Sequence, residues 1–243
     1  GGRPVAVCER LTAAIVGCVL AGPAWPADDW RWPGPVSLLC HNAAPADRCR
    51  AVRRSLVPCR NSEPVWRRVG SACPPAVPAA AWSWITEPGS LTRRVQEGCS
   101  GVFDLRLLRQ GFGDALPSER RVLRAGPHHG RDLVREVELL CDGAPRVFAR
   151  TVMPARSLIG RTRELTRLGT RPLGAVLFAD PSTRRGLVEF ARLSPSHALF
   201  AVASEHVAGD RPAELWGRRT VYRFAGKPLL VNEIFLPVLF RSR

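Results

Sequence analysis

The stretch Gly226-Lys227-Pro228-Leu229-Leu230-Val231-Asn232-Glu233-Ile234-Phe235-Leu236-Pro237 sets one carboxylate in the middle of an otherwise apolar strand. An ionised Glu removed from water is strongly unfavourable unless a cation, a donor or a ligand hydroxyl compensates it. Glu233 is therefore either paired within the fold or lines a ligand cavity. The two-residue period of a strand puts Leu229, Val231, Glu233 and Phe235 on one face. Upstream, Leu133-Val134-Arg135-Glu136-Val137-Glu138-Leu139-Leu140 gives Leu133, Arg135, Val137 and Leu139 a common face, so an Arg lies on an apolar face and offers the matching cation.

Both strands sit in hairpins. Residues 132–140 and 146–152 flank a turn over 141–145, where Asp142-Gly143 supplies the positive φ angles of tight hairpin turns. Residues 220–224 and 229–236 flank a second turn at Ala225-Gly226-Lys227-Pro228. Residues 102–110 read as another strand, ended by Gly111. Ser90 is the expected N-cap of a helix over 91–97 that Gly98 closes. Residues 158–168 form a helix candidate with Leu158, Leu165 and Leu168 on one side and Gly169 as its stop. Pro172 suits the first position of a further helix bearing Leu173, Val176 and Leu177. This helix–loop–helix reads as a flap whose backbone amides near Leu173 offer a site for a carboxylate or carbonyl oxygen. Residues 114–130 read as an irregular connection. The expected fold class is α+β, a mainly antiparallel sheet with helices inserted as flaps.

Composition divides the 243 residues in two. Cys8, Cys18, Cys40, Cys49, Cys59 and Cys73, with Trp25, Trp30, Trp32 and Trp66, fall in the first 73 residues, which lack a regular apolar period. Residues 1–73 are expected to be a poorly structured extension that resembles GC-rich DNA translated outside its gene, either a fragment or a start placed too far upstream. Residues 74–243 form the folded domain, entered through the Pro-rich linker 74–80. Two exported readings compete for the extension. Residues 11–20, apolar between Arg10 and Ala-Gly-Pro-Ala, have the outline of a secretory signal, and the six cysteines suit a disulfide framework. No membrane span is expected, because the apolar run is too short. The net charge is +15, and Lys227 is the single lysine among 36 basic residues. Scattered arginines without interleaved aromatics point to codon bias in preference to a specific nucleic-acid partner.

Seven stretches in chain order carry a resemblance: Gly89-Ser90-Leu91-Thr92, Val134-Arg135-Glu136-Val137, Ala149-Arg150-Thr151-Val152-Met153-Pro154, Leu168-Gly169-Thr170-Arg171-Pro172-Leu173-Gly174, Leu177-Phe178, Trp216-Gly217-Arg218-Arg219-Thr220 and the closing strand. From about Trp66 onward the chain resembles the chorismate pyruvate-lyase (chorismate lyase, 4-hydroxybenzoate synthase) family. The resemblance implies conversion of chorismate to 4-hydroxybenzoate and pyruvate, towards ubiquinone, with no metal or organic cofactor, in a cytoplasmic monomer. It also implies that Arg135 grips the ring carboxylate, that the Leu173 main-chain amide adds a donor, and that Glu233 meets the hydroxyl at the other end of the ring. Leu91 stands where a family member has Met and is expected to be an apolar wall. Compared with the family pattern, residues 194–213 look like an insertion outside the site.

Other candidates weigh less. Arg150 and the pair Arg218-Arg219 are available for the pyruvyl carboxylate but are equally read as surface arginines. Adjacent His128 and His129 would point to opposite faces of a strand, so a metal site is not expected. Cys99 and Cys141 have no identifiable base and are expected to be incidental thiols, reduced in the cytosol. The rival function is the effector-binding domain of a transcriptional regulator, which resembles the same fold and binds a small acid without transforming it. Residues 1–65 show no amphipathic helix pair for the DNA-binding module that such a regulator carries.

Overall fold

The computed structural model describes residues 62–70, 72–125, 131–205, 207 and 210–240. The expectations for residues 1–61 and for His128-His129 therefore lie outside the described residues. One antiparallel sheet of seven strands organises the rest: β1 (Arg67–Arg68), β2 (Phe103–Gly113), β3 (Asp132–Cys141), β4 (Ala144–Met153), β5 (Arg184–Leu193), β6 (Leu215–Phe224) and β7 (Lys227–Phe235), in the spatial order β1-β5-β6-β7-β4-β3-β2. The α+β expectation holds. β1 joins the sheet ahead of the expected domain start at 74, pairing Arg67 with Phe190.

The hairpin β3–β4 closes on Asp142-Gly143, with φ of 51° and 72°, and β6–β7 closes on Ala225-Gly226, with φ of 47° and 74°. The tighter second turn puts Lys227 and Pro228 inside β7. β2 runs through Gly111 instead of stopping there, with a register shift between Leu107 and Arg109. β5 is a strand that the sequence pattern did not reveal.

Helix α1 (Ala79–Ile85) buries Ala81 and Ile85, one turn apart. α2 (Leu91–Glu97) buries Leu91 and Val95; Ser90 caps it by accepting from the Arg93 N–H at 3.4 Å, and Gly98 ends it, as expected. α3 (Pro117–Val122) lies inside the stretch read as irregular; Pro117 opens it and the Glu119 carboxylate accepts from the Leu116 N–H at 2.8 Å. The helix expected over 158–168 is instead two 3-10 segments, Ala155–Ser157 and Gly160–Arg167. The Thr162 hydroxyl bonds back to the carbonyls of Ser157 and Ile159, which competes with regular helical pairing. The apolar side is nevertheless the one expected: Leu165 and Leu168 are buried and Leu158 packs against their cluster. α4 (Leu173–Ala179) has Pro172 at its N-cap, one residue ahead of the position expected. α5 (Ala198–Ser204) falls in the 194–213 stretch.

Alternation along the strands separates two faces. On one, α1 and α2 pack with Val137, Leu139, Val147, Trp216 and Phe235, while the 158–179 segment packs with Leu133, Met153, Tyr222, Leu229 and Val231. On the other, α5 packs with Phe148, Leu193, Leu215 and Ile234, and Ala115 and Leu123 pack with Val152 and Leu230. Covered on both sides, β3 has all ten residues buried.

Cys99, just past α2, and Cys141, the last residue of β3, form a disulfide with Cα atoms 5.7 Å apart. This corrects the reading of both as incidental thiols. The bond staples the end of α2 to the strand that carries Arg135. Cross-linking residues 42 positions apart in sequence stabilises by roughly 3 to 4 kcal/mol in the chain-entropy account. Reductant is therefore expected to lower the melting temperature of the intact protein by several degrees and to leave Cys141→Ser unaffected; identical curves for the native protein with and without reductant would show that the staple is absent.

Candidate active site

The two halves of the inner face leave a hollow between them. All four residues expected at a site line it: Leu91 from the start of α2, Arg135 from β3, Leu173 from the start of α4 and Glu233 from β7. Ser90, Thr92, Thr151, Phe178 and Tyr222 complete much of the wall. The register explains the spacing. Glu233 pairs with Ala149, Ala149 with Val137, and Arg135 lies two residues further along β3. Two strand spacings of about 4.8 Å and a two-residue offset put the Cα atoms of Arg135 and Glu233 roughly 12 Å apart.

Arg135 is buried, with 2% of its surface exposed. Its Nη2 donates to the carbonyls of Gly169 at 2.9 Å and Arg171 at 3.0 Å, and its Nε has no hydrogen-bond partner. No carboxylate pairs with it among the described residues. Burial alone pushes its guanidinium down to about 10, still charged at neutral pH. A desolvated cation without an anion is an unfavourable arrangement for a fold and a favourable one for an incoming carboxylate.

Glu233 does have a cation, and it is Arg218 instead of Arg135. The pair faces across the β6–β7 ladder, with Arg218 Nε 2.6 Å from Glu233 Oε2. Arg218 Nη1 also donates to the carbonyl of Glu87 at 2.7 Å. Tyr222, on the same face, has its phenol pushed up by burial first and by the Glu233 carboxylate second, so it stays a neutral donor. The phenol ring meets Phe178 edge to face at 6.3 Å, and Phe178, half exposed, stands at the mouth.

Arg150 and Arg219 are excluded from the hollow. Both project from the opposite face, where Arg150 holds Glu119 at 2.9 Å and Glu136 at 2.5 Å, and Arg219 holds Glu189 at 2.7 Å. Burial would lower the Arg150 guanidinium, but Glu119 and Glu136 more than offset it and hold it above its ordinary value. No residue of the 194–213 stretch lines the hollow.

The enclosed space is about 50 Å³, whereas a cavity of about 150 Å³ takes up benzene. The hollow as it stands is thus smaller than a benzene-sized cavity. The 158–179 segment forms one wall, and Gly160 and Gly169, with φ of 56° and 54°, bracket its longer 3-10 stretch. Arg135 ties this wall to β3 through its two bonds to the carbonyls of Gly169 and Arg171. At Gly174 a Cβ would come within 2.9 Å of Ser90 Oγ, so glycine lets the segment close against the start of α2.

An α+β sheet thus carries a buried cation, unpaired among the described residues, and a paired carboxylate on the wall of one hollow. The family described as "Chorismate lyase" matches residues 62–243, and the chain belongs to that family. It is similar to proteins named "Probable chorismate pyruvate-lyase": 46% identity in Azoarcus sp. (strain BH72) over 64% of this chain and 83% of the relative, and 43% in Dechloromonas aromatica (strain RCB) over 72% and 95%. The relative from Methylococcus capsulatus is 45% identical over 65% of this chain and 94% of its own. Among solved structures, PhnF from Mycobacterium smegmatis aligns with 16% identity and a TM-score of 0.45, covering 79% of this chain and 80% of its own. Similarity of that degree says nothing about what this chain binds.

Proposed function

We propose that this protein is a chorismate pyruvate-lyase, forming 4-hydroxybenzoate and pyruvate from chorismate at the hollow between sheet and flap. The observation that carries the assignment is Arg135, a buried cation with no carboxylate partner among the described residues, lining one hollow with Glu233, Leu91 and Leu173. Family membership and the names of the relatives support the same reaction.

The chemistry asks little of the protein. Breaking the ether C–O bond and losing the ring hydrogen beside it makes the ring aromatic; the ether oxygen leaves with the enolpyruvyl group, which gains a proton on its methylene to become pyruvate. Arg135 binds the ring carboxylate, and the Leu173 amide adds a donor to it. Glu233 accepts from the ring hydroxyl, and Leu91 packs on the ring. Held at both ends, the ring is confined to the reactive conformer while the closed flap excludes bulk water. No cofactor enters this scheme. No helix among the described residues is long and apolar enough to cross a membrane, and we place the enzyme in the cytoplasm as a monomer, at the first committed step towards ubiquinone.

Incubation of the purified full chain with chorismate is expected to release equimolar 4-hydroxybenzoate and pyruvate, followed by ultraviolet absorbance and by a coupled pyruvate assay. Tight 4-hydroxybenzoate binding without turnover would overturn the assignment in favour of an acid-sensing domain.

A further inference from the structure

Arg218 is the other fully buried arginine of this face, with 0% of its surface exposed, and the lyase scheme gives it no contact with the ligand. Three acceptors account for it. Nε donates to Glu233 Oε2 at 2.6 Å, and Nη1 donates to the carbonyls of Glu87 at 2.7 Å and Trp84 at 3.4 Å. The last two acceptors lie at the C-terminal end of α1 and in the connector to α2, where the carbonyl end of the helix favours a cation. One guanidinium thus joins three pieces of the wall: β6, the Glu233 carboxylate and the chain leading into Ser90, Leu91 and Thr92.

The hydrogen bond also selects which oxygen is left over. Arg218 takes Oε2, while Oε1 of Glu233 accepts no hydrogen bond among the described residues. A carboxylate held this way is an acceptor of fixed direction. It rewards a ligand that presents a hydroxyl there and gives nothing to one that presents hydrogen. Gly217, next in the chain, keeps β6 close: a Cβ there would stand 2.6 Å from the Ile234 side chain and 3.2 Å from the Glu233 carbonyl oxygen.

We propose that Arg218 is a positioning residue that aims Glu233 at the ring hydroxyl and so sets the preference for a para-hydroxylated ring over an unsubstituted one. The role rests on the lyase assignment of the same hollow and extends it from catalysis to specificity. Arg218 touches Glu233 and backbone; it never touches the ligand.

Affinity for two probes, 4-hydroxybenzoate and benzoate, measured by calorimetry on the full chain, tests it. The unaltered protein is expected to favour 4-hydroxybenzoate by about tenfold or more, the scale of one hydrogen bond to a charged group. Arg218→Gln is expected to bring the ratio to within about twofold by weakening the hydroxylated ligand alone, since benzoate still meets Arg135. Arg218→Lys keeps the charge but cannot span Glu233 and both carbonyls, and an intermediate ratio is expected. A residue that only supported the fold would weaken both ligands by the same factor. An unaltered ratio in the Gln variant, or in the Lys variant should Gln fail to fold, overturns the proposal. The two claims separate cleanly: chorismate turnover with a ratio indifferent to Arg218 leaves the lyase and removes the positioning role, whereas a ratio that collapses in a protein without turnover does the reverse.

Discussion

Arg135→Met is expected to abolish capture of 4-hydroxybenzoate while making the empty protein more stable. The first half follows from the contacts: a paired guanidinium–carboxylate interaction contributes about 1.5 to 3 kcal/mol per hydrogen bond, so losing two weakens binding by roughly a hundredfold or more and lowers kcat/KM with it. The second half follows from burial. Arg135 has 2% of its surface exposed, an unpartnered Nε and no opposing carboxylate, and its lowered basicity has desolvation as its only cause. A thioether of similar length removes that cost and fills the same space. Arg135→Ala should lose binding as fully but gain less stability, because it leaves a cavity. Thermal melting with and without ligand, together with calorimetric titration, decides both halves. Unchanged affinity would remove Arg135 from the site, and a large fall in melting temperature would mean that its carbonyl bonds to Gly169 and Arg171 outweigh its desolvation.

Arg150→Ala is expected to have the opposite profile: a large loss of stability with a site still intact in whatever folds. Arg150 is 6% exposed, and its removal strands Glu119 and Glu136, themselves 1% and 7% exposed. Breaking such a buried pair costs about 3 to 5 kcal/mol, which in a domain of this size lowers the melting temperature by roughly 6 to 20 °C. Asn232 would keep one bond to Glu119 at 2.8 Å, too little to neutralise two charges. Replacing Arg150, Glu119 and Glu136 together by apolar residues of similar volume should recover most of the loss. A melting temperature within 2 °C of the native value for Arg150→Ala would show that water reaches this cluster and that Arg150, Glu119 and Glu136 do not hold the fold together there.

These two arginines show where reading the chain succeeds and where it stops. Strand periodicity puts Arg135 and Glu233 on faces shared with apolar residues, and the structure brings both to the inner face because alternation is a local property of the backbone. Which carboxylate meets which cation is not local. Arg150 was open to either reading until Glu119, on a helix absent from the expected elements, and Glu136 were found around it. Glu233 called for a partner, and the chain offered Arg135, yet the partner is Arg218. That pairing was within reach: a two-residue turn at Ala225-Gly226 sets Phe224 opposite Lys227 and, counting back along the hairpin, Arg218 opposite Glu233. Reading the turn as four residues long hid it.

Pattern and turn chemistry alone determined that this chain folds as an antiparallel sheet with helical cover, that Ser90 starts a helix and Asp142-Gly143 a hairpin, and that Arg135 and Glu233 each share a strand face with apolar residues. The tertiary structure alone decided that Arg135 has no carboxylate partner among the described residues while Glu233 has Arg218, that Cys99 bonds to Cys141, and that the hollow amounts to about 50 Å³. The physical reason is range. Periodicity and φ preferences act within a few residues, whereas charge pairing, cross-linking and enclosed volume depend on distances between segments that only the assembled sheet sets.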